Sequence, residues 1–411
     1  MTDCCSAPGL TPFDLALEQL LSQVNVSKKT QLIPLEQACG RVLAQDVMSD
    51  MQIPSADNSA MDGYAIRSID LASHKTLKQV GKVFAGHPLE QVIEAGQCVR
   101  IMTGGQVPAG CDAVVMQENT QASGDDISFL HEVKVGENIR RAGEDIAVGQ
   151  TLLTTGRHLT PADIGLLASL GIARVCVFNK LTVAVISTGD ELQTPGATLK
   201  PGQFYESNGY TVTALLERLG VTVISFGIVS DDIEQLRDTF IQADAQADVV
   251  ITSGGVSVGE ADYTKDILEE LGEIGFWKLA IKPGKPFAFG KLSTAWFCGL
   301  PGNPVSSMMT MYVLVQPMLA KLAGHTEWKE PLSIPAITKT AFKKVPGRAD
   351  YQRGIYSLED GKFVVETTGN QSSGAFRSMS LANCFVVLER ERGRVEIGET
   401  VNIQLFNSTL Y

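Results

Sequence analysis

The sequence predicts a multidomain chain of α/β plus β type: a parallel-sheet α/β domain, a helical domain split in sequence, an inserted mainly β domain and a C-terminal β-barrel. Three observations carry this prediction. The chain has 411 residues, room for roughly two to four domains at about 150 residues each. From about Leu181 apolar runs alternate with amphipathic stretches, the pattern of repeated βα units and hence of a mostly parallel sheet with helices on both faces. Before it, across 49–142, and after it, beyond Pro331, short β-type runs are separated by Gly, Pro, Asp or basic turns.

Taken in chain order, Thr11-Pro12 offers an N-cap and a proline for the first turn, and Phe13, Ala16, Leu17, Leu20, Leu21 and Val24 share one helical face. A second short helix is expected over Pro34–Gly40. Strands follow at Val99–Met102 and Ala113–Gln117. Helical spacing returns after Thr160-Pro161, with Ile164, Leu167 and Ala168 on one side and Gly171 as the stop. Segments 1–48 and 143–180 therefore read as one helical and linker domain, interrupted by the β unit at 49–142. Over 181–330 the expected strands are Val183–Ile186, Val221–Val229 and Asp248–Thr252, alternating with helices Asn208–Leu219, Asp232–Ala243 and Tyr263–Leu271. Further strands near Trp277–Ile281, Phe287–Phe289 and Ala295–Cys298 lead into a Leu300–Asn303 turn. The next helix has Asn303 as N-cap and Pro304 at its first position, with a kink expected at Pro317. Segment 331–411 reverts to strands at Val364–Thr368, Phe385–Leu388 and Val401–Leu405, the makings of a small barrel.

Composition narrows the function classes. The 34 Lys and Arg against 46 Asp and Glu give a net charge of −12, which opposes general binding to nucleic acid or anionic lipid and leaves room only for a local basic pocket. The longest stretch free of charged residues, Leu292–Ala320, contains Gly299, Pro301, Gly302, Asn303 and Pro304, so it reads as strand, turn and helix and not as a membrane span. The N-terminal residues lack the basic and apolar regions of a secretory signal. Eight scattered cysteines suit reduced thiols in a cytoplasm, with Cys4-Cys5 read as part of a frayed tail.

In open parallel sheets ligands bind beyond the carboxyl ends of the strands, so the loops there are the first place to look for chemistry. They read Ser187-Thr188-Gly189-Asp190-Glu191, Ser230-Asp231-Asp232, Ser253–Asp262, Lys282-Pro283-Gly284-Lys285-Pro286 and Leu300–Pro304. The glycine-rich Ser253–Asp262 loop offers backbone N–H groups and a helix start, a seat for phosphate or another oxyanion. Glu260-Ala261 stands where a Walker A loop requires Lys and Ser/Thr, and no dinucleotide-binding glycine fingerprint follows any strand. Glu191, Asp231 and Asp262 are the kind of hard oxygen set that holds Mg²⁺ with substrate phosphates, although Asp231 equally fits a role at the start of the following helix. Lys282 and Lys285 sit in a Pro-Gly-Pro frame that fixes two cations near each other and points to an oxyanion. The five histidines, His74, His87, His131, His158 and His325, have no metal-ligand spacing, and no Gly-x-Ser-x-Gly elbow is present. Met308, Met309 and Met311 read as packing residues.

Within the β insertion three runs are unexplained by periodicity: Asn58-Ser59-Ala60-Met61-Asp62-Gly63-Tyr64-Ala65, Arg100–Gly105 with Thr103 before a glycine pair, and Arg140-Arg141-Ala142-Gly143-Glu144-Asp145. Together with the sheet-edge loops and Gly347-Arg348-Ala349-Asp350-Tyr351-Gln352-Arg353-Gly354, in this order over nearly the whole chain, they resemble the bacterial molybdopterin molybdenumtransferases, equivalent to the E domain of gephyrin. The resemblance implies a four-part subunit whose α/β domain resembles molybdopterin adenylyltransferase. It implies Mg²⁺-dependent transfer of molybdenum from molybdate to adenylylated molybdopterin, with release of AMP.

It further implies a cytoplasmic homodimer with an active site shared between subunits, and possible contacts with molybdopterin adenylyltransferase and apo-molybdoenzymes. Catalytic positions carried over are Asp62, Thr103, Glu191, Asp231 and Asp262, with Asp231, Asp262 and Glu191 as the Mg²⁺ set. Substrate and molybdate contacts carried over are Ser257, Lys278, Lys282, Lys285, Pro301, Pro304, Arg353 and Ser373. The chain departs from the family at Gln371-Ser372-Ser373, where relatives commonly read Gln-Gly-Ser. Two alternatives stand beside this reading. A molybdopterin adenylyltransferase would need neither the β insertion nor the terminal barrel, and a non-catalytic scaffold would not need the acidic and lysine loops.

Overall fold

The computed structural model describes residues 9–255, 263–326 and 331–406. Cα packing divides the chain into two compact units, one drawn from Met1–Gln45, Thr155–Gly165 and Ala173–Tyr411, the other from Asp46–Thr154 and Leu166–Ile172.

In the first unit a six-stranded sheet is built from β1 (Thr182–Thr188), β2 (Thr222–Val229), β3 (Val249–Ser253), β4 (Glu273–Lys278), β5 (Pro286–Lys291) and β6 (Trp296–Leu300). Its spatial order is β2-β1-β3-β6-β5-β4; the first four run parallel, and β5 and β4 are antiparallel additions. β1 and β3 are buried on both faces, as central parallel strands are, which is why they read as unbroken apolar runs. Val183, Val185 and Ile251 face a core shared with helices α1 (Phe13–Gln23), α3 (Asn208–Arg218), α6 (Pro304–Thr310) and α7 (Gln316–Leu322). The alternate residues Ala184, Ile186 and Val250 face a second core with α4 (Ile233–Gln246) and α5 (Tyr263–Leu271). Helix α2 (Pro161–Ser169) begins in the Thr155–Gly165 segment and ends in the Leu166–Ile172 segment.

C-terminal to this sheet, strands Ser333–Thr338, Ala349–Glu359, Lys362–Thr367, Cys384–Leu388 and Thr400–Leu405 close a five-membered ring. Each pairs with two others, the closure coming from Asp350–Gly354 against Cys384–Leu388. The expected barrel is thus present, filled by Phe342, Val365, Val386, Val395 and Ile403. Closure leaves the ring itself no edge strand.

Three local expectations differ. Pro34–Gly40 is not a helix. Thr30–Pro34 pairs antiparallel with Arg174–Phe178, and only a single 3₁₀ turn, Leu35–Gln37, remains before Gly40 at φ +75°. The strand expected at Trp277–Ile281 lies earlier, at Glu273–Lys278, because pairing with β5 sets its register; the Leu279 N–H then turns to the Lys285 carbonyl at 2.7 Å. The Pro317 effect appears one turn upstream. Proline has no N–H to give the preceding turn, and Met311–Val315 adopts a π-helical turn between α6 and α7.

The second unit centres on a six-stranded sheet, in spatial order Ala113–Met116, Gly63–Ile66, Gln97–Ile101, Thr76–Val83, Asp126–Phe129, Thr120–Ser123. Gly63 is required there, since a β-carbon would stand 1.9 Å from the Val115 carbonyl oxygen. Among the described residues no helix is long and apolar enough to cross a membrane.

Candidate active site

The carboxyl edge of the parallel sheet gathers the small polar loops. β1 ends at Thr188, and Gly189 at φ +141° leads to Glu191, whose carboxylate lies back over that glycine; a β-carbon there would be 2.6 Å from Oε2. β3 ends at Ser253 and is followed by Gly254 at φ +94° and Gly255 at φ +66°. A side chain on Gly254 would meet the Thr188 carbonyl oxygen at 2.8 Å, and one on Gly255 the Thr264 hydroxyl at 2.5 Å. These glycines let two loops approach backbone to backbone. Between the loops lies a cleft of about 510 Å³, walled by Thr188, Glu191, Glu206, Gly254, Pro301 and Pro304 among others. β5 runs antiparallel to β6, so its first residue, Pro286, also reaches this edge and lines the cleft.

Charge at this edge is uneven. The Asp231 N–H donates to Asp190 Oδ1 at 3.1 Å, which draws Asp190, Glu191 and Asp231 together. Partial desolvation, then the neighbouring Asp190 and Glu191 carboxylates, push Asp231 above its ordinary value. The helix-start role goes to its neighbour: Asp232 accepts the Gln235 N–H at 2.9 Å and caps α4. On the cationic side Lys278 and Lys285 are exposed, and Lys282 Nζ stands 3.5 Å from the buried Asp350 carboxylate.

Among the described residues no group of three or more His, Cys, Asp or Glu side chains encloses a metal position. The donors that are present, carboxylates without imidazole or thiolate, still fit Mg²⁺, which typically takes one or two carboxylates and completes its shell with water and substrate phosphates. A carboxylate whose ionised form is disfavoured by burial and then by like charges is the one a dication would relieve. Asp262 and Ser257 lie outside the described residues.

Arg353 is only 1% exposed. Its Nε donates to Ser378 Oγ at 2.9 Å, and Nη2 donates to the Asn370 and Ser372 carbonyls at 3.2 and 3.0 Å. Burial lowers its pKa to about 10, so it remains a cation at neutral pH. Gln371 grips the same residue through the backbone, accepting the Arg353 N–H at 2.8 Å and donating to its carbonyl at 2.9 Å. The loop so held presents Ser373, whose carbonyl accepts the Val305 N–H at 3.3 Å in the first turn of α6, beside Pro304. Arg353 and Ser373 are thereby linked to the helix that follows the cleft wall.

The second unit holds its own polar turn. Asp62 Oδ1 accepts both the Thr103 N–H at 2.8 Å and the Thr103 hydroxyl at 2.7 Å. Those two bonds, followed by the charge of Arg100, hold Asp62 below its ordinary value. Arg100 donates to the Gly63 carbonyl at 3.1 Å and to Gln117 Oε1, and lies 5.1 Å from the Tyr64 ring centroid. The Arg140–Asp145 run resolves into a turn anchored on Asp57, which accepts from Arg141 Nη1 and, at 2.9 Å, from the Ala142 N–H.

The structure places Glu191, Pro301 and Pro304 in the cleft wall with Asp231 beside Glu191, Lys278 at the end of β4, Lys285 in the loop before β5, Lys282 paired with Asp350 of the barrel, and Asp62 with Thr103 as a bonded pair in the other unit. Sequence reasoning missed two cleft residues. Glu206 is 6% exposed, and the Thr188 hydroxyl is buried with no hydrogen-bond partner among the described residues. A carboxylate directly before an N-terminal helix turn, Glu206-Ser207-Asn208, was the available signal for the first; the second needed the loop geometry.

Fold and site together define an α/β protein with a polar cleft at the carboxyl edge of its parallel sheet, an inserted β unit and a terminal barrel. The chain matches the family models "MoeA N-terminal region (domain I and II)" at residues 11–171, "Probable molybdopterin binding domain" at 184–321 and "MoeA C-terminal region (domain IV)" at 335–406. It is 50% identical over 399 residues to a molybdopterin molybdenumtransferase of Haemophilus influenzae, covering 97% of this chain and 99% of the relative. It is 32% identical to gephyrin of Dictyostelium discoideum, over 96% of this chain and 62% of that protein. Among solved structures, a molybdopterin biosynthesis moeA protein from Pyrococcus horikoshii OT3 superposes with a TM-score of 0.83 at 30% identity, covering 97% of this chain and 100% of the other. The chain belongs to the molybdopterin molybdenumtransferase family.

Proposed function

We propose that this protein inserts molybdenum during molybdenum cofactor biosynthesis, transferring it from molybdate to the dithiolene sulfurs of adenylylated molybdopterin with Mg²⁺-dependent release of AMP. The observation that carries the reading is the acidic cluster of Asp190, Glu191 and Asp231, of which Glu191 lines the cleft with the Gly254-Gly255 turn. Asp231 and Glu191, with Asp262, are assigned to Mg²⁺. Bound there, the ion would neutralise charge on the phosphates as the anhydride breaks.

The chain's own groups do the rest. Amides of the Gly254-Gly255 turn, with Ser257, hold the phosphates. Lys278, Lys282 and Lys285 offset the molybdate dianion. Arg353 adds buried positive charge behind the loop that presents Ser373. Pro301 and Pro304 stiffen the cleft wall. Asp62, kept ionised by Thr103, positions the metal centre or water from the β insertion.

We assign the protein a cytoplasmic, four-part subunit that works as a homodimer with the site shared between subunits. Molybdopterin adenylyltransferase and apo-molybdoenzymes are its expected upstream and downstream contacts. The adenylyltransferase alternative is not favoured, because the family models extend over the N-terminal and C-terminal regions as well as the α/β domain, and the scaffold alternative is not favoured, because relatives named molybdopterin molybdenumtransferase match over nearly the whole chain. The test is AMP release from adenylylated molybdopterin by the purified protein with Mg²⁺, with and without molybdate. Molybdate-dependent release, with cofactor that activates an apo-molybdoenzyme, is expected. Adenylate formation from molybdopterin and ATP instead would overturn the proposal.

A further inference from the structure

A second cavity lies at the amino edge of the parallel sheet, the end opposite the cleft. Leu181, just before β1, and Val221, just before β2, line it. Its volume of about 360 Å³ falls within the range of about 300–1,000 Å³ typical of small-molecule sites. Although the chain carries a net charge of −12, the lining holds Arg41, Lys180, His158 and His325 and no aspartate or glutamate. Arg41 is half-buried, and its Nη2 donates to the Phe178 carbonyl at 2.8 Å. Among the described residues no carboxylate stands within 4.0 Å of Arg41 or Lys180. Burial alone therefore lowers the Arg41 pKa, with no acid to offset it. His158 and His325 stack beside it with centroids 5.4 Å apart, both held below their ordinary values by burial. Asp163, whose charge reaches His158, is already engaged by Arg157 Nη2 at 3.0 Å and by the Thr160 N–H at 2.8 Å.

We propose that this cavity is a second ligand site, separate from the cleft, that takes the phosphate monoester of a small organic molecule. Two permanent cations, Arg41 and Lys180, match the roughly 1.5 to 2 negative charges that a phosphate monoester carries at neutral pH, whereas a carboxylate would neutralise only one. A guanidinium donates two parallel N–H bonds to a phosphate, and Arg41 uses one nitrogen on Phe178 and makes no other hydrogen bond among the described residues. The histidines add donors beside the cations. Phe178, Leu219 and Val221 supply an apolar wall for the organic part of the ligand. A bound phosphate supplies the counter-charge that the half-buried Arg41 lacks.

An NMR titration of the full-length protein tests this, following the ring resonances of His158 and His325 with two probes, phenyl phosphate and benzoate. It is run on wild type, Arg41→Gln, Lys180→Ala and, as a control in the sheet-edge loops, Lys285→Ala. The expected result is that phenyl phosphate shifts both histidines of the wild type and binds more tightly than benzoate. Arg41→Gln should weaken that binding about tenfold or more, the loss of a charge-assisted pair, Lys180→Ala should weaken it by less, and Lys285→Ala should leave it as it is. The melting temperature shows whether Arg41→Gln is folded; Lys180 is exposed, so its variant carries the test if Arg41→Gln is not. Histidine signals that ignore phenyl phosphate, binding that survives the loss of either cation, or binding abolished by Lys285→Ala overturns the proposal. Benzoate bound as tightly as phenyl phosphate overturns the assignment to phosphate monoesters. The readout is binding at the amino edge and not AMP release, so its failure leaves the proposed molybdenum insertion standing.

Discussion

Two aspartates in two regions of this molecule have opposite electrostatic fates. Asp62, in the β insertion, receives two hydrogen bonds from one residue, Thr103, and is stabilised as an anion. Asp231, at the edge of the parallel sheet, loses solvent and faces two more carboxylates, so its ionised form is disfavoured. The first site is electrostatically complete within the chain. The second is left facing like charge, and the contrast matches the positioning role proposed for Asp62 and the cation-binding role proposed for Asp231.

Removing the unsatisfied acid should have the largest effect. Asp231→Ala is expected to lower molybdate-dependent AMP release by about 10²-fold or more. Its stability should not fall: the folded-state pKa lies above the unfolded one, so ionised Asp231 opposes folding, and stability is lost as pH rises through that raised value. Unchanged turnover, or a melting temperature that drops with activity, would merge the two aspartates into one class.

A pH scan of stability sharpens the contrast. His158 and His325 stack with ring centroids 5.4 Å apart, and burial, then His158, pushes His325 down to about 4. A base held below its unfolded value supports the fold fully above pH 6.5 and loses that support as pH falls toward 4, by about 3 kcal/mol at most. Asp62 behaves otherwise, its contribution persisting above 3.8 and disappearing as pH falls through its lowered value. Acid unfolding should therefore begin in the histidine window, and His325→Phe should flatten it. A midpoint that ignores the substitution would reassign acid sensitivity to the carboxylates.

Smaller effects probe the scaffolds. Gly254→Ala forces a β-carbon to 2.8 Å from a carbonyl oxygen at positive φ, which should cost about 2 kcal/mol in denaturant unfolding. Lys285→Ala should weaken molybdate binding by about tenfold in calorimetry, the loss of one cation from an anion site. Thr103→Val should have the smallest effect. It removes one bond to Asp62 and keeps the backbone bond, so the Asp62 pKa measured by NMR should rise without returning fully to its ordinary value.

The two regions were also unequally legible. Strands β1, β2 and β3 and helices α3 to α5 were readable because apolar runs and 3.6-residue spacing repeat over long stretches, and the Asn303-Pro304 pair marks its helix start. Pro34–Gly40 was misread as a helix because the strand that leads into it, Thr30–Pro34, has its partner, Arg174–Phe178, more than a hundred residues away. The register of Glu273–Lys278 was lost for the same reason. At the site, sequence singled out Asp231 as a residue of chemical interest but could not separate it from Asp232, which takes the helix cap.

By itself, then, the sequence determined which segments form the strands and helices of the βα repeat and which acids and lysines fall in loops, because these follow from periodicity and residue chemistry within a few positions. Tertiary structure alone decided that Asp62 is satisfied by Thr103, that Asp231 meets Asp190 and Glu191, and that the Arg353 guanidinium is spent holding a loop. Each depends on residues far apart in sequence meeting at hydrogen-bond or Coulombic range, where a shift of about 1 Å changes the energy and local pattern carries no signal.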